Sequence, residues 1–393
     1  MQEDEIRERD ENERHKRKKR NKKIQLFRRL LIVLILFVIV FSLYRFRDDL
    51  APENVLENIR FSFAVNRGGN GYPAKVAGNT ISACGLMGES VFLTDTSFLM
   101  FNQNGGQVFN RQHGYANPKM KTISNRTIIF DDGGKRFRVE SKTGTVAEKT
   151  TDQKIRAAAV SSSGVYGVVT GSKSDLAEMT IYRKNGSEMF KWYSSEYYIL
   201  DMAVNAAGTG GAVAAFTTKS GREHSVIITF DFSQKQPKGK IELEGNMLLS
   251  VEYLQNGMIA AVGTTSACVV REDGQEKTEY SYEGKHLAGY SVHETGGIAL
   301  ALSGFSDLRK CSAVLLDASG RKRGEHTGSM DVRDVDYDGR RAVYLCGNQI
   351  VMLDNAGKQL QVMPSGADVS AVMLYKSRVL AIGMNEIRKA EAE

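Results

Sequence analysis

Short apolar runs and polar, glycine-marked turns alternate along the chain from about Asn70 to its end, and one phrase of that alternation keeps returning. In its clearest copy the run Ile350–Leu353 leads into the turn Asn355-Ala356-Gly357. The same step joins Phe98–Phe101 to Asn104-Gly105-Gly106, Arg136–Val139 to Lys142-Thr143-Gly144, and Met179–Tyr182 to Lys184-Asn185-Gly186. It also joins Ala267–Val270 to Glu272-Asp273-Gly274, and Ala313–Leu316 to Ala318-Ser319-Gly320. A seventh copy, Val226–Asp231, has a longer turn through Pro237 and Gly239. Apolar runs of this length between Gly and Asn turns predict strands joined by tight hairpins, because those residues supply positive φ. The mean step of roughly 42 residues lies in the range of propeller blades.

A second hairpin precedes each of these turns. Ala157–Val169, Met202–Ala214, Val251–Val262, Ser291–Leu300 and Val332–Tyr344 are rich in Ala, Val and Gly, as the crowded inner strands of a propeller require. The pattern therefore predicts an all-β propeller of four-stranded blades. The last copy, Val369–Arg388, contains only three strands. Ile59–Val65 is a strand with no blade of its own, so the expectation is seven whole blades plus an eighth shared between the two ends of the chain. Seven blades, with the tail covering an edge, is the alternative.

The N-terminus breaks the pattern. Residues Met1–Lys23 are almost all charged and include Arg14–Arg20, which reads as a polar tail rather than a folded unit. Leu30–Tyr44 follows as an unbroken apolar run, flanked by Arg28, Arg29, Arg45 and Arg47. It is slightly short of ~20 spanning residues, but Leu26, Phe27 and Phe46 lengthen it and the arginines can snorkel. Arg45–Asp49 is a poor cleavage site, which favours a signal-anchor over a removed signal peptide. The expected organisation is a basic cytoplasmic tail over residues 1–25, a transmembrane helix over 26–47, a linker over 48–58, a propeller over 59–388 and a frayed end over 389–393. The basic tail fits the positive-inside rule and puts the propeller outside the cytoplasm.

Charge and chemistry alter this picture little. The net charge is +7, but much of the basic excess precedes Arg29, so the propeller offers no basic face and no nucleic-acid partner is expected. Cys84, Cys268, Cys311 and Cys346 form no CxxC and read as small buried hydrophobes; a Cys311–Cys346 bond is open if adjacent blades bring them together. The six histidines are scattered, and no HExxH, Gly-x-Ser-x-Gly or Walker loop occurs. Asp334–Gly339 imitates the first half of a calcium loop, but Leu345 occupies the position of the closing Glu, so it reads as an Asp-Gly turn. Arg67–Pro73 is a glycine-rich loop followed by a strand, which argues against phosphate binding. The reading thus assigns no catalytic, cofactor or metal residue.

Two regions look like recognition surfaces. One is the aromatic stretch around Trp192, Tyr193, Tyr197 and Tyr198; exposed Trp and Tyr make good anchors. The other consists of two long connectors between second and third strands, which carry Arg222, His224, Phe305 and Arg309 and should protrude from one rim.

The basic tail, the Leu30–Tyr44 run and the strand-turn-strand repeat together resemble a bacterial family of single-pass membrane proteins with an extracytoplasmic WD40-like or PQQ-like propeller, a domain of unknown function. At the level of fold the layout is also similar to the eight-bladed assembly factor of the outer-membrane protein insertion machinery, a scaffold. Quinoprotein dehydrogenases share the ring but stack a Trp in blade after blade, and Trp192 is the only Trp here. The resemblance implies a non-enzymatic scaffold without cofactor, attached to membrane lipid through Leu30–Tyr44 and binding an envelope protein or glycan at a rim. An envelope enzyme with a composite channel site, or a sensor relaying to its cytoplasmic tail, are the alternatives.

Overall fold

The computed structural model describes residues 68–391, apart from residues 70, 87, 220, 305–309 and 330, together with residues 33, 34 and 36; of residues 219, 222, 310 and 329 it describes the backbone alone. Val33, Leu34 and Leu36 are helical. The rest of the expected Leu30–Tyr44 span lies outside the described residues, as do the basic tail, the linker and Ile59–Val65. No helix among the described residues is long and apolar enough to cross a membrane.

The strands form eight four-stranded antiparallel sheets, the blades of a propeller. The strands nearest the axis are Thr80–Leu86, Pro118–Ile123, Ile155–Val160, Tyr198–Val204, Leu248–Tyr253, His286–His293, Val332–Tyr337 and Ala371–Tyr375, one for each of blades 1 to 8. Blades 1 to 7 take their strands in sequence order. Blade 8 takes Ala371–Tyr375, Arg378–Ile382 and Glu386–Ala390 from the C-terminal end and Ala74–Lys75 from the N-terminal end. Ala74 pairs with Ile387 and Lys75 with Glu386. The shared eighth blade is therefore present, but Ala74–Lys75 supplies its outer strand.

Alternation explains why the middle strands are apolar throughout. Successive side chains of one strand face opposite blades, so both faces of a blade are buried. In blade 3, Ala157 and Ala159 join the core shared with blade 4, while Ala158 and Val160 join the core shared with blade 2. In blade 6, Ala299 and Ala301 face blade 7, while Ile298, Leu300 and Leu302 face blade 5. The seam between blades 8 and 1 has its own core, including Phe92, Leu99, Met373 and Ile387. Hydrogen bonds from the Tyr375 hydroxyl to Gly88 O (2.8 Å) and from Arg378 Nη1 to Gln103 O (2.7 Å) stitch that seam.

Strands alternate in direction, so the ring has two distinct faces. The turns from first to second strand and from third to fourth strand lie on one, here the turn face. The second-to-third turns and the connectors between blades lie on the other, the connector face. The chain reaches blade 8 from the turn face: Gly71 N–H bonds to Asn104 O (2.9 Å) and Asn102 Nδ2 donates to Gly68 O (2.9 Å), both on the third-to-fourth turn of blade 1. Glycine is needed where adjacent turns touch. A Cβ on Gly296 would lie 2.2 Å from Gly339 Cα in the next blade, whereas a Cβ on Gly85 meets nothing within 4 Å.

Gly296→Ala is therefore expected to lower the melting temperature by several degrees, in line with ~1–3 kcal/mol for overpacking, and Gly85→Ala to leave it within about a degree. Thermal unfolding of the two variants side by side checks this.

Candidate functional site

The connector face and the central channel are two surfaces of the ring open to other molecules. The inner strands of six blades begin with a β-bulge. One extra residue on the inner strand opposes a single step on its partner, at Ile81, Arg156, Leu200, Leu249, Ala288 and Arg333 in blades 1, 3, 4, 5, 6 and 7. A bulge re-aims one side chain without disturbing the rest of the ladder. All six lie at the connector-face end, and all but the half-buried Leu200 are exposed.

Of these, Ile81 and Leu249 add exposed apolar surface to the connector face, while Arg156 and Arg333 add charge. Of the large hydrophobic side chains exposed on the propeller, Ile81, Tyr193, Tyr198, Leu249 and Met384 belong to this face, while Val146 and Leu360 sit on outermost strands. Tyr198 stacks on Phe216, with ring centroids 5.4 Å apart. Phe216 stands on the longest hairpin of the fold, Gly210–Lys219 with Arg222–Asp231, in which Lys219 pairs with Arg222. Scattered apolar residues are ordinary on a surface; a concentration on one face marks a contact region.

The residues singled out in the sequence divide between core and surface. Tyr193 and Tyr198 are half exposed on the connector face. Trp192 packs edge-on against Phe230 at 4.9 Å and belongs to the core between blades 3 and 4. Tyr197 is buried, its hydroxyl bonded to Glu196 (2.6 Å) and to Lys240. His224 is also buried, with Nε2 3.4 Å from Glu242. The backbone of Arg222 lies near the tip of the long hairpin, and Phe305 and Arg309 lie outside the described residues. The bulged residues went unnoticed in the sequence. Their only signal there is an extra residue at the start of each inner strand, which alternation alone does not distinguish from a shifted register.

The channel has a volume of about 430 Å³ and is lined by all eight inner strands. Its wall is polar mainly on blades 5 to 7, with Glu252, Tyr290, Ser291, Asp334 and Asp336, and largely apolar on blades 8 to 3. Lys121 of blade 2 reaches past the small Ala159 of blade 3, and its ammonium meets Asp201 Oδ2 (2.6 Å), Met202 O (2.9 Å) and Val251 O (3.4 Å). Burial works to lower the Lys121 ammonium, but Asp201 and Glu252 outweigh it and the pKa is raised.

Three channel carboxylates join neighbouring blades. Asp201 Oδ2 accepts Val251 N–H (3.0 Å), Asp334 Oδ2 accepts Val372 N–H (2.8 Å) and Asp336 Oδ2 accepts Leu374 N–H (2.7 Å). Asp201 and Asp334 each directly follow a bulge, so both do the same work in different blades. Burial pushes the Asp334 carboxyl up to about 6 and raises Asp336, although backbone N–H groups oppose the shift in both. Asp338, last in the run, caps the turn by accepting Arg340 N–H (2.9 Å) and Arg341 N–H (2.7 Å), and Gly339 has a φ of 82°. The Asp-Gly turn is thus present, but its two preceding carboxylates are inter-blade staples. Among the described residues no three His, Cys, Asp or Glu side chains form a metal-ligand group. Cys311 and Cys346 pack in one core between blades 6 and 7, as free thiols. Burial raises both, Cys311 to about 11 and Cys346 to about 12.

With this geometry established, comparison with known proteins identifies the group to which the chain is related. A family model described as a family of unknown function, DUF5711, matches residues 75–391. The chain belongs to this family. The DUF5711 match begins within the Ala74–Lys75 closing strand and ends just after the last strand, so it spans the whole ring. No curated protein matches the chain. Among solved structures it is similar to the C-terminal WD40 domain of Sif2, with a TM-score of 0.55 and 9% identity over 83% of this chain and 100% of that one. It is also similar to the quinohemoprotein alcohol dehydrogenase ADHIIG of Pseudomonas putida HK5, with a TM-score of 0.57 and 8% identity over 82% of this chain and 76% of that one. Sqt1 of Saccharomyces cerevisiae gives 0.51 and 11%, over 82% and 99%. At such low identity these likenesses show the propeller fold alone.

Two measurements test the channel. The unfolded Asp titrates near 3.9. The folded protein therefore retains a proton on Asp334 that the unfolded chain has released between about pH 4 and 6, and stability falls as pH rises through that window. Asp334→Asn keeps an acceptor for Val372 N–H and avoids the buried charge. Its melting temperature should match the parent near pH 4.5 and exceed it by a few degrees near pH 8. Lys121→Met strands Asp201 and should cost ~3–5 kcal/mol, much of it recovered by adding Asp201→Asn. Denaturant unfolding of the two single variants and the double variant measures that recovery.

Proposed function

We propose that this DUF5711 protein is a membrane-anchored interaction propeller of the bacterial cell envelope, non-enzymatic, with its connector face turned to a protein or glycan partner. The observation that carries this reading is the gathering of exposed Ile81, Tyr193, Tyr198, Leu249 and Met384 on the face opposite to where the chain joins the ring. The described chain enters the ring at the turn face, at Gly68–Gly71, and a membrane tether earlier in the sequence is part of this proposal. Leu30–Tyr44, with its basic N-terminal flank, supports such a tether, with residues 1–25 cytoplasmic and the propeller outside. The long hairpin ending at Lys219 and Arg222 borders the same face and would widen the contact.

An enzyme with a composite site in the channel is less well supported. The channel-lining residues include no histidine, and Asp201, Asp334 and Asp336 each spend an oxygen on the backbone of the next blade. These residues hold the ring together, a role for which they need no substrate.

Site-specific photo-crosslinking in cells tests the reading. A crosslinker placed at Tyr193, Tyr198 or Met384 of the full-length protein is expected to capture the same partner. One at Val146 or Leu360 should not. Equal capture from all five positions, or capture from the outer strands alone, would overturn the assignment of the face. Alkaline phosphatase fused to the C-terminus should be active if the propeller lies outside the cytoplasm; an inactive fusion in a stably produced protein would overturn the topology.

A further inference from the structure

The channel holds one acidic side chain that the architecture does not use. Asp201 is satisfied by Lys121 and Val251 N–H, Asp334 by Val372 N–H, and Asp336 by Leu374 N–H and more weakly by Ser291 Oγ at 3.4 Å. Among the described residues no hydrogen bond or ion pair ends on Glu252. It sits on the inner strand of blade 5, deeply enclosed by protein, with part of its surface left on the channel. An enclosed carboxylate without a partner costs stability, and burial raises the Glu252 carboxyl against the pull of Lys121. A cationic occupant would offset that cost.

The surroundings define what kind of cation fits. Lys121 already shows that an alkylammonium is accommodated on this wall, its charge on a carboxylate and two carbonyls and its methylenes along the channel. Glu252 lies near enough to Lys121 to influence it, and Tyr290 and Ser291 stand beside it on blade 6. Across the channel the wall carries Ile81, Ala83, Met120 and Ala371 beside Ser82, Cys84 and Thr122, which suits a mainly aliphatic body. One lysine faces four carboxylates, so the enclosed field favours positive charge. No three ligating side chains converge among the described residues, which argues for a single ammonium group rather than a metal ion. A cavity of about 430 Å³ is of the size that takes small molecules.

We infer that the propeller channel is a binding site for a small aliphatic amine, whose ammonium group pairs with Glu252 and whose hydrocarbon lies against the apolar arc of blades 8, 1 and 2. This goes beyond the interaction face proposed above and does not depend on it.

Calorimetric titration of the full-length protein with n-butylammonium chloride tests the inference, with n-butanol as the neutral isostere and sodium chloride and magnesium chloride at matched ionic strength. Saturable binding of the amine is expected, with at least tenfold weaker binding of n-butanol and none of either salt. Glu252→Gln keeps the size of the side chain and breaks no hydrogen bond, so it should fold as the parent does and bind the amine at least tenfold more weakly. Tyr193→Ser, on the connector face, should bind it as the parent does. Absence of saturable binding, equal affinity for n-butanol, or unchanged affinity in Glu252→Gln would each overturn the site. Failure of the crosslinkers at Tyr193, Tyr198 and Met384 to capture a common partner, with amine binding intact, would instead count against the interaction face alone.

Discussion

Every blade of this protein is hydrophobic on both sides, and that constraint requires a ring. A sheet whose alternate residues face opposite neighbours cannot stand at the end of a row without exposing one face. The cores between blades 2 and 3, 3 and 4, 4 and 5, 5 and 6, 6 and 7, 7 and 8, and 8 and 1 are built the same way, from aliphatic and aromatic side chains of facing strands. Only closure satisfies the last blade. Closure here rests on a short junction: two residue pairs in the shared sheet, the Phe92–Met373 core behind them, and the bonds from Tyr375 and Arg378 across the seam.

Near the axis the inner strands meet edge-on and leave backbone groups facing one another across blade boundaries. Carboxylates fill that gap. Asp201, Asp334 and Asp336 each accept an N–H from the next blade, and Lys121 draws blades 2, 4 and 5 together from inside. The polar channel is thus first a solution to a packing problem. Glu252, which does none of this stapling, stands apart.

Most of the architecture was legible in the sequence because turn chemistry and alternation both report on local structure. Gly105, Gly186, Gly274, Gly320 and Gly357, taken from the sequence as turn markers, all have positive φ. The incomplete last repeat pointed to a shared blade. What alternation could not specify was which N-terminal segment closes the ring, since Ala74–Lys75 is too short to show a period. Side-chain direction was less readable. Aromatic residues clustered at 190–198 divide into a buried half, with Trp192 and Tyr197, and an exposed half, with Tyr193 and Tyr198. A bulge inverts the facing of everything before it, so Leu249 reaches the surface between buried Leu248 and Ser250, and Ile81 between half-buried Thr80 and Ser82. The stapling carboxylates were missed because their partners lie in the following blade, some 40 to 50 residues away.

The shared blade also sets an order of events for the newly made chain. Ala74–Lys75 leaves the ribosome before any blade exists, yet its partner, Glu386–Ile387, appears only after blades 1 to 7. Blades 1 to 7 can pair their own strands as they emerge, since those contacts are local in sequence. Until Glu386–Ile387 is made, the row of blades stays open at both ends, with Phe92 and Leu99 uncovered on one side and the edge of blade 7 on the other. The protein therefore passes through a late interval in which it is nearly folded and still adhesive, and a second copy at the same stage could supply the missing strand in trans.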